Sequence, residues 1–358
     1  MVTETDLHSL QSYMYELPPE LIAQRPACPR DSSRLLVLDR ASGSIGHGVF
    51  RDIGKYLKNS DVLAANNSRV MRARLRGRRV LENAAPGGKV EFLMLRQLGE
   101  LSWEGAFHAS AKHKPGVMFE IPASDGRGVR GTIVRGASGS ASGTVEVRFD
   151  RDPVDAGAGE MPLPPYIVRP ADDSDIAAYQ TVYASVGASA AAPTAGFHFT
   201  PELLAALRAR GIGWEEITLD VGLGTFRPVK SADIRNHVMH EERFRVSASV
   251  ALCINDAMEK GRRIVAVGTT SVRALESAYD RTAGCVSAGA RCTDIFIRPG
   301  AHEFGVVGAM ITNFHLPGST LLMLLCAFAG RDMVMRAYKE AVAEHYRFYS
   351  YGDAMLVL

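Results

Sequence analysis

No stretch of the chain is apolar for long enough to cross a bilayer. The most hydrophobic segment, TLLMLLCAFAG at residues 320–330, falls well short of the roughly 20 residues a spanning helix needs and reads as a buried helix. The opening MVTETDLHSLQSYMYEL has neither a basic region nor a long apolar run, so it does not read as a signal peptide. Five cysteines, Cys28, Cys253, Cys285, Cys292 and Cys326, form no C-x-x-C pair. Their odd number and scatter argue for a reducing compartment and against a structural zinc site. No coherent metal-ligand spacing is present. Neither sign of charge dominates: 41 Lys and Arg face 39 Asp and Glu, a net charge of +2. With no global field favouring nucleic acid, any basic site must be local. A Walker A loop and a G-x-S-x-G elbow are both missing. The expected address is the cytoplasm, with no membrane partner; a monomer is expected.

What is there has three textures. A length of 358 residues suggests about two domains. Residues 1–70 carry short apolar runs, SSRLLVLDR and DVLAANNSRV, that read as buried strands. Residues 71–152 alternate and turn often, with Gly-rich breaks such as APGGK and SDGRG, and read as a small all-β barrel. From about residue 160 helices and strands alternate. The expected fold is therefore an α/β main domain, an open sheet with flanking helices, formed by residues 1–70 and 153–358. The β-barrel of residues 71–152 is inserted into it.

Three turns could carry chemistry. AAPTAGFHFT (residues 191–200) places His198 between two phenylalanines, just before a helix with Thr200 as N-cap, Pro201 in its first turn and Gly211 at its stop. His198 is either a packed core residue or a proton-handling group in an apolar slot. Gly268-Thr269-Thr270-Ser271 joins a strand, RRIVAV, to an amphipathic helix. Free N–H groups and hydroxyls there suit a carboxylate, phosphate or ribose, with ordinary N-capping as the plain alternative. Arg273 lies one turn into that helix, where it could reach an anion or pair with an acid. TNFHLPGST sets Asn313 and His315 at a second strand end, before Pro317 and Gly318. In an open α/β sheet such turns can converge on one crevice at the strands' carboxyl ends. TLDVGLGTFRPV supplies Asp220, Gly222, Thr225 and Arg227, and VMHEERF supplies His240 and Glu242. They read as a carboxylate and a hydrogen-bonding lid over a substrate, or as a solvated loop.

RVMRARLRGRR is the densest basic run. In an extended strand Arg72, Arg74, Arg76 and Arg78 share one face and could track a phosphate backbone over about 20 Å. An exposed face paired with acids is the alternative. Near the C-terminus Tyr346, Phe348, Tyr349 and Tyr351 could stack on unpaired bases or tie the chain to its core.

The segments RPACPRDSSRLLVLDR, NNSRV, ARLRG, PPYI, YQTVYA, AAPTAGFHFT, VGLGTFRPV, MHEE, GTTSVRALES, TDIFI, ITNFHLP and YRFYSYGDAMLVL follow one another in that order. From about residue 13 onward the chain resembles the S-adenosylmethionine:tRNA ribosyltransferase-isomerase family of queuosine biosynthesis. The resemblance implies an α/β domain with an inserted β-barrel, and S-adenosylmethionine as co-substrate without a metal. It implies transfer and rearrangement of the ribosyl part onto a 7-aminomethyl-7-deazaguanine base in tRNA, with adenine and methionine released and epoxyqueuosine formed. A proton must leave C5′ beside the sulfonium, adenine must leave with one, and the acceptor amine must lose one. Several proton carriers in a site screened from water are needed. His198, His315 and His240 are the candidates, with Asp220 and Glu242 as carboxylates in the same set. Thr194, Gly196, Gly222, Thr225, Arg227, Thr269, Thr270, Ser271 and Asn313 would bind substrate, and Arg273 would suit the methionine carboxylate. Two positions depart from the family pattern: Asp220 stands where His is usual, and Gly318 where Lys is usual. They leave a second reading open, a relative that uses S-adenosylmethionine with a small-molecule acceptor or without tRNA.

Overall fold

The computed structural model describes residues 6–81, 85–109, 114–136, 143–222 and 229–358. In chain order the elements begin with β1 (Arg34–Leu38), β2 (Ile45–Val49), β3 (Val62–Asn66) and β4 (Ser68–Val70). β5 (Arg74–Val80), β6 (Pro86–Gly99), β7 (Ser102–Ala109), β8 (Met118–Ile121), β9 (Val129–Arg135) and β10 (Val145–Phe149) follow. The remainder alternates through α1 (Ser174–Ala178), β11 (Val186–Ser189), α2 (Pro201–Ala209), β12 (Gly213–Leu219), β13 (Glu242–Val246), α3 (Ala248–Glu259), β14 (Ile264–Val267) and α4 (Thr269–Ala278). A hairpin of β15 (Tyr279–Asp280) and β16 (Cys285–Val286) precedes β17 (Gly289–Thr293), β18 (Val307–Asn313), α5 (Thr320–Ala329), α6 (Arg331–Ala343) and β19 (Ala354–Val357).

Nine strands form the main sheet in the order β17-β13-β12-β3-β14-β18-β19-β1-β2. Its centre, β12-β3-β14-β18, is parallel. Such strands are covered on both faces and so read as nearly continuous apolar runs. Alternation splits their side chains between two cores. Leu35, Leu63, Val265 and Ile311 pack under α2 with Phe50 and Phe199. Leu36, Val62, Ala266 and Met310 pack on the opposite face, with residues of α3, α4, α5 and α6. The helix α5 is buried almost all round, as its unbroken apolarity requires. Among the described residues no helix is long and apolar enough to cross a membrane.

The six strands β10-β7-β6-β5-β8-β9 close into a barrel. Its interior is filled by Phe92, Phe107, Phe119 and Phe149, with Leu75, Ile121 and Ile133. The α/β domain with an inserted β-barrel expected from sequence is thus the architecture observed. Ala156 and Ala158, beyond the last barrel strand, still pack against the barrel core.

Candidate active site

Two strand-to-helix turns lie side by side at the carboxyl ends of β14 and β18. The first is tight. Gly268 takes a φ of +88°, a conformation that strains any residue with a Cβ. α4 starts immediately after it with no side-chain cap. The second turn carries Asn313 at the end of β18, then Phe314 and His315. Between these turns and the loop of Pro193 and Thr194 lies a narrow cleft of about 640 Å³ counted out to its open mouth. That is the place where an open α/β sheet offers a ligand site. Thr194, Thr269, Thr270, Asn313 and His315 line it.

Asn313 is the most constrained of these groups. Its Oδ1 accepts the Thr194 hydroxyl at 3.2 Å. Its Nδ2 donates to the Tyr349 carbonyl at 3.1 Å and meets His198 Nε2 at 3.2 Å. These partners fix the amide orientation, so His198 Nε2 must be an acceptor. The ring proton is therefore on Nδ1, which donates to Ser33 Oγ at 2.7 Å. His198 is buried and its ring lies 5.0 Å from that of Phe50. Burial, reinforced by the Arg347 and Arg30 guanidiniums, pushes its pKa down to about 3. His198 does not line the cleft; it stands one residue behind the wall, holding Asn313.

His315 does line the cleft. Its Nε2 lies 2.8 Å from the Thr312 hydroxyl, and its backbone N–H donates to the Tyr338 hydroxyl at 2.9 Å. The Tyr15 hydroxyl donates to its carbonyl. Burial lowers its pKa to about 3, so this imidazole too is neutral at physiological pH. Thr270 stands opposite with its Oγ1 buried and without a hydrogen-bond partner. An orphaned hydroxyl facing a cleft marks a place where a ligand can supply the missing bond.

The remaining candidates are placed differently. Ser271 is fully buried and donates to the Val267 carbonyl at 2.8 Å, tying the first turn of α4 back to the end of β14. Gly196 is required by packing: a Cβ there would come within 2.0 Å of the Tyr183 hydroxyl. Arg273 does not line the cleft; it is buried and ion-paired with Glu242. Glu242 also accepts the Gly222 N–H at 3.1 Å, so one carboxylate joins β13 to α4 and to the segment after β12. The pair neutralises two buried charges that would each be costly alone. Asp220 is half-buried with Oδ1 unpartnered, and burial raises its pKa against the opposing pull of Arg243. His240 is exposed. Thr225 and Arg227 lie outside the described residues.

The four arginines do not form one free row. Arg72 precedes β5 and donates to the Gly159 carbonyl. Arg74 donates to the Leu163 carbonyl and stands 3.4 Å from Glu91, while Arg76 pairs with Glu91 and Glu160. The alternative of pairing with acids holds for Arg74 and Arg76, while Arg72 is spent on a backbone carbonyl. Arg78 makes no ion pair among the described residues.

Tyr166, Tyr349 and Ser350 also line the cleft; the sequence singles out Tyr349 only as a base-stacking or anchoring aromatic, and Tyr166 and Ser350 not at all. Tyr349 has a φ of +70°, which non-glycine residues adopt rarely. The Asn313 bond to its carbonyl, its own N–H donated to the Phe314 carbonyl at 3.1 Å, and its ring 4.6 Å from Tyr166 hold it there. Tyr346, Phe348 and Tyr351 are fully buried and tie this segment to the core.

The Gly318 departure has a local explanation. Its φ is +63°, its N–H donates to the Tyr13 carbonyl at 2.9 Å, and a Cβ would lie 2.9 Å from Met14 Sδ. In this chain the N-terminal segment occupies the space a longer side chain would need.

Residues 10–357 match the family model described as queuosine biosynthesis protein. The S-adenosylmethionine:tRNA ribosyltransferase-isomerase of Symbiobacterium thermophilum is 49% identical over 351 residues, covering 98% of this chain and 99% of that protein. Its counterpart from Moorella thermoacetica is 49% identical over 354 residues, with coverage of 98% and 99%. The crystal structure of S-adenosylmethionine tRNA ribosyltransferase from Thermotoga maritima is 36% identical, covers 97% of this chain and 100% of its own, and superposes with a TM-score of 0.53. Matched over nearly its whole length in sequence and in fold, the chain belongs to the queuosine biosynthesis protein family of S-adenosylmethionine:tRNA ribosyltransferase-isomerases.

Proposed function

We propose that this protein transfers and isomerises the ribosyl part of S-adenosylmethionine onto 7-aminomethyl-7-deazaguanine in tRNA, giving epoxyqueuosine and releasing adenine and methionine. Family membership supports the reaction. The cleft at the ends of β14 and β18 supports its place, and the orphaned Thr270 hydroxyl is the observation that carries it.

The sulfonium nucleoside sits with its sugar and methionine polar groups on Thr269, Thr270, Thr194 and Asn313. Tyr166 and Tyr349 form an aromatic wall, which suits both a flat adenine and the positive sulfur. His315 takes the C5′ proton. A neutral imidazole is the form this step requires. Removing the C5′ proton leaves a ylide whose carbanion balances the positive sulfur while the imidazolium takes up the charge, so the net charge inside the cleft is constant and desolvation opposes the transfer less. His198 is a positioning residue: its Nδ1–H is held by Ser33, and its Nε2 accepts from the Asn313 amide. Asp220, its carboxyl pKa raised by burial, is placed next in sequence to cleft-lining Val221 and serves as a second proton carrier. The acceptor is a cytoplasmic tRNA.

The test is adenine and methionine release from S-adenosylmethionine, with and without tRNA bearing the precursor base. Release is expected only with that tRNA, and it should fall steeply as salt rises. Equal release in its absence refutes the assignment of the acceptor.

A further inference from the structure

The barrel carries a cationic groove whose axis crosses the strands, and the register shows how it is built. On β5, Leu75 points into the barrel core, and Arg74, Arg76 and Arg78 alternate to the outside. Arg78 stands directly opposite Lys89 of β6 on one side and Glu120 of β8 on the other. Glu120 is in turn opposite Arg130 of β9 and bound to it at 3.1 Å. The row across four strands therefore reads Lys89, Arg78, Glu120, Arg130. Its one carboxylate is already committed. Neighbouring strands are about 4.8 Å apart, so the row spans roughly 14 Å.

Arg78 and Lys89 are exposed and make no ion pair among the described residues. Like charges directly opposite on one sheet face destabilise it, so the pairing works against the barrel's own stability. A β-bulge between Arg78 and Val80 adds to the same surface. Bulges re-aim side chains, and here Arg78, Arg79 and Val80 all face one groove. Lys89 and Arg130 complete its basic rim. The floor is apolar, and includes Leu81 and Met118, which are 41% and 45% exposed.

We propose that this groove binds the phosphodiester backbone of the tRNA. Phosphates lie along the Lys89–Arg78–Arg130 row, with a ribose or base face on Leu81 and Met118. A basic rim over an apolar floor fits a nucleic acid strand, whose charged backbone and flat, weakly polar bases alternate over a few ångströms. The inference rests on the tRNA reading given above and adds the surface that receives the RNA. It also relocates the basic site: the arginines that run along β5 are mostly spent on internal partners, and the unpaired cations Arg78 and Lys89 stand side by side on neighbouring strands.

The experiment compares wild-type protein with the Arg78→Ala/Lys89→Ala double variant, measuring tRNA affinity by filter binding from low to moderate salt. Each phosphate contact contributes about 0.7 to 0.9 to the slope of log K against log salt. The variant should lose about 1.5 from that slope and roughly thirtyfold in affinity at about 0.1 M salt. KM for tRNA should rise, while KM for S-adenosylmethionine and kcat at saturating tRNA stay at wild-type values. A second variant, Lys89→Glu, places a carboxylate opposite Arg78. It should raise the melting temperature or leave it unchanged, while weakening tRNA binding, a combination that damage to the fold cannot produce. Wild-type affinity and slope in both variants overturn the groove while leaving the tRNA reading intact. A wild-type protein that neither binds nor modifies tRNA overturns both.

Discussion

Replacing His198 by Gln separates a positioning histidine from a proton carrier. The Gln amide oxygen can reach the place of the imidazole Nε2, so Asn313 keeps an acceptor for its second N–H. Lost are the Nδ1–H bond to Ser33 and the ring contact with Phe50. A neutral hydrogen bond is worth about 1 kcal/mol and an aromatic contact about 1 kcal/mol. The variant should therefore lose about 2 kcal/mol of stability, or roughly 3 °C in melting temperature for a chain of this length. Adenine release should be measured at saturating S-adenosylmethionine and tRNA, well below the melting transition and across pH. Because the group touching the cleft is Asn313, kcat should fall by no more than about tenfold. The pH profile should keep its shape. Loss of a general acid or base costs about 10² to 10⁴ in rate. A fall beyond about 10² at unchanged stability, with a limb of the pH profile abolished, would refute the positioning role and make His198 a proton carrier.

The two buried imidazoles also tie folding to pH. With folded pKa values pushed down to about 3, the unfolded chain takes up protons below pH 6.5 that the folded chain refuses. Their contribution is complete above pH 6.5 and falls as pH drops toward 3. Between pH 6.5 and pH 5 each loses about 2 kcal/mol. Urea midpoints should fall accordingly, and a midpoint independent of pH would show that the folded rings are protonated. Thr270→Val removes an unpartnered buried hydroxyl, so melting temperature should hold or rise while KM for S-adenosylmethionine increases about fivefold; an unchanged KM removes Thr270 from the site. Gly318→Lys restores the usual family residue at a φ of +63° against Met14 and Leu10. It should cost at least about 1 kcal/mol without improving tRNA affinity, and an undisturbed melting temperature would contradict the steric account.

The architecture was legible where local chemistry and packing agree. Thr200, Pro201 and Gly211 bound α2 because capping and backbone freedom act within a few residues. Apolar runs such as RLLVL mark strands covered on both faces. The convergence of the loops around residues 194, 268 and 313 could also be anticipated from strand-to-helix alternation. What could not be read was which group faces the cleft. His198 and His315 have the same Phe-His context, yet one lies behind Asn313 and the other on the wall, because backbone course after the strand decides it. Arg273 sits at the right distance along α4 for an anion, but Glu242, 31 positions away, reaches it first. Tyr349 belongs to a motif noted for its aromatics; only its left-handed backbone turns it toward the cleft. The arginine run reads as one stripe along a strand, whereas cross-strand partners determine which charges stay free.

The strand that follows every other in sequence is not at an edge of the sheet. β19 lies between β18 and β1, its Ala354 beside Leu35 on one side and Asn313 on the other. During synthesis the two halves of the sheet must wait, apart, for a segment that arrives after both. Until it slides between them, Asn313 lacks both its partner on β19 and the Tyr349 carbonyl that orients it. Such long-range closure is slow. The Asn313 side of the cleft is therefore completed only once this last strand has docked.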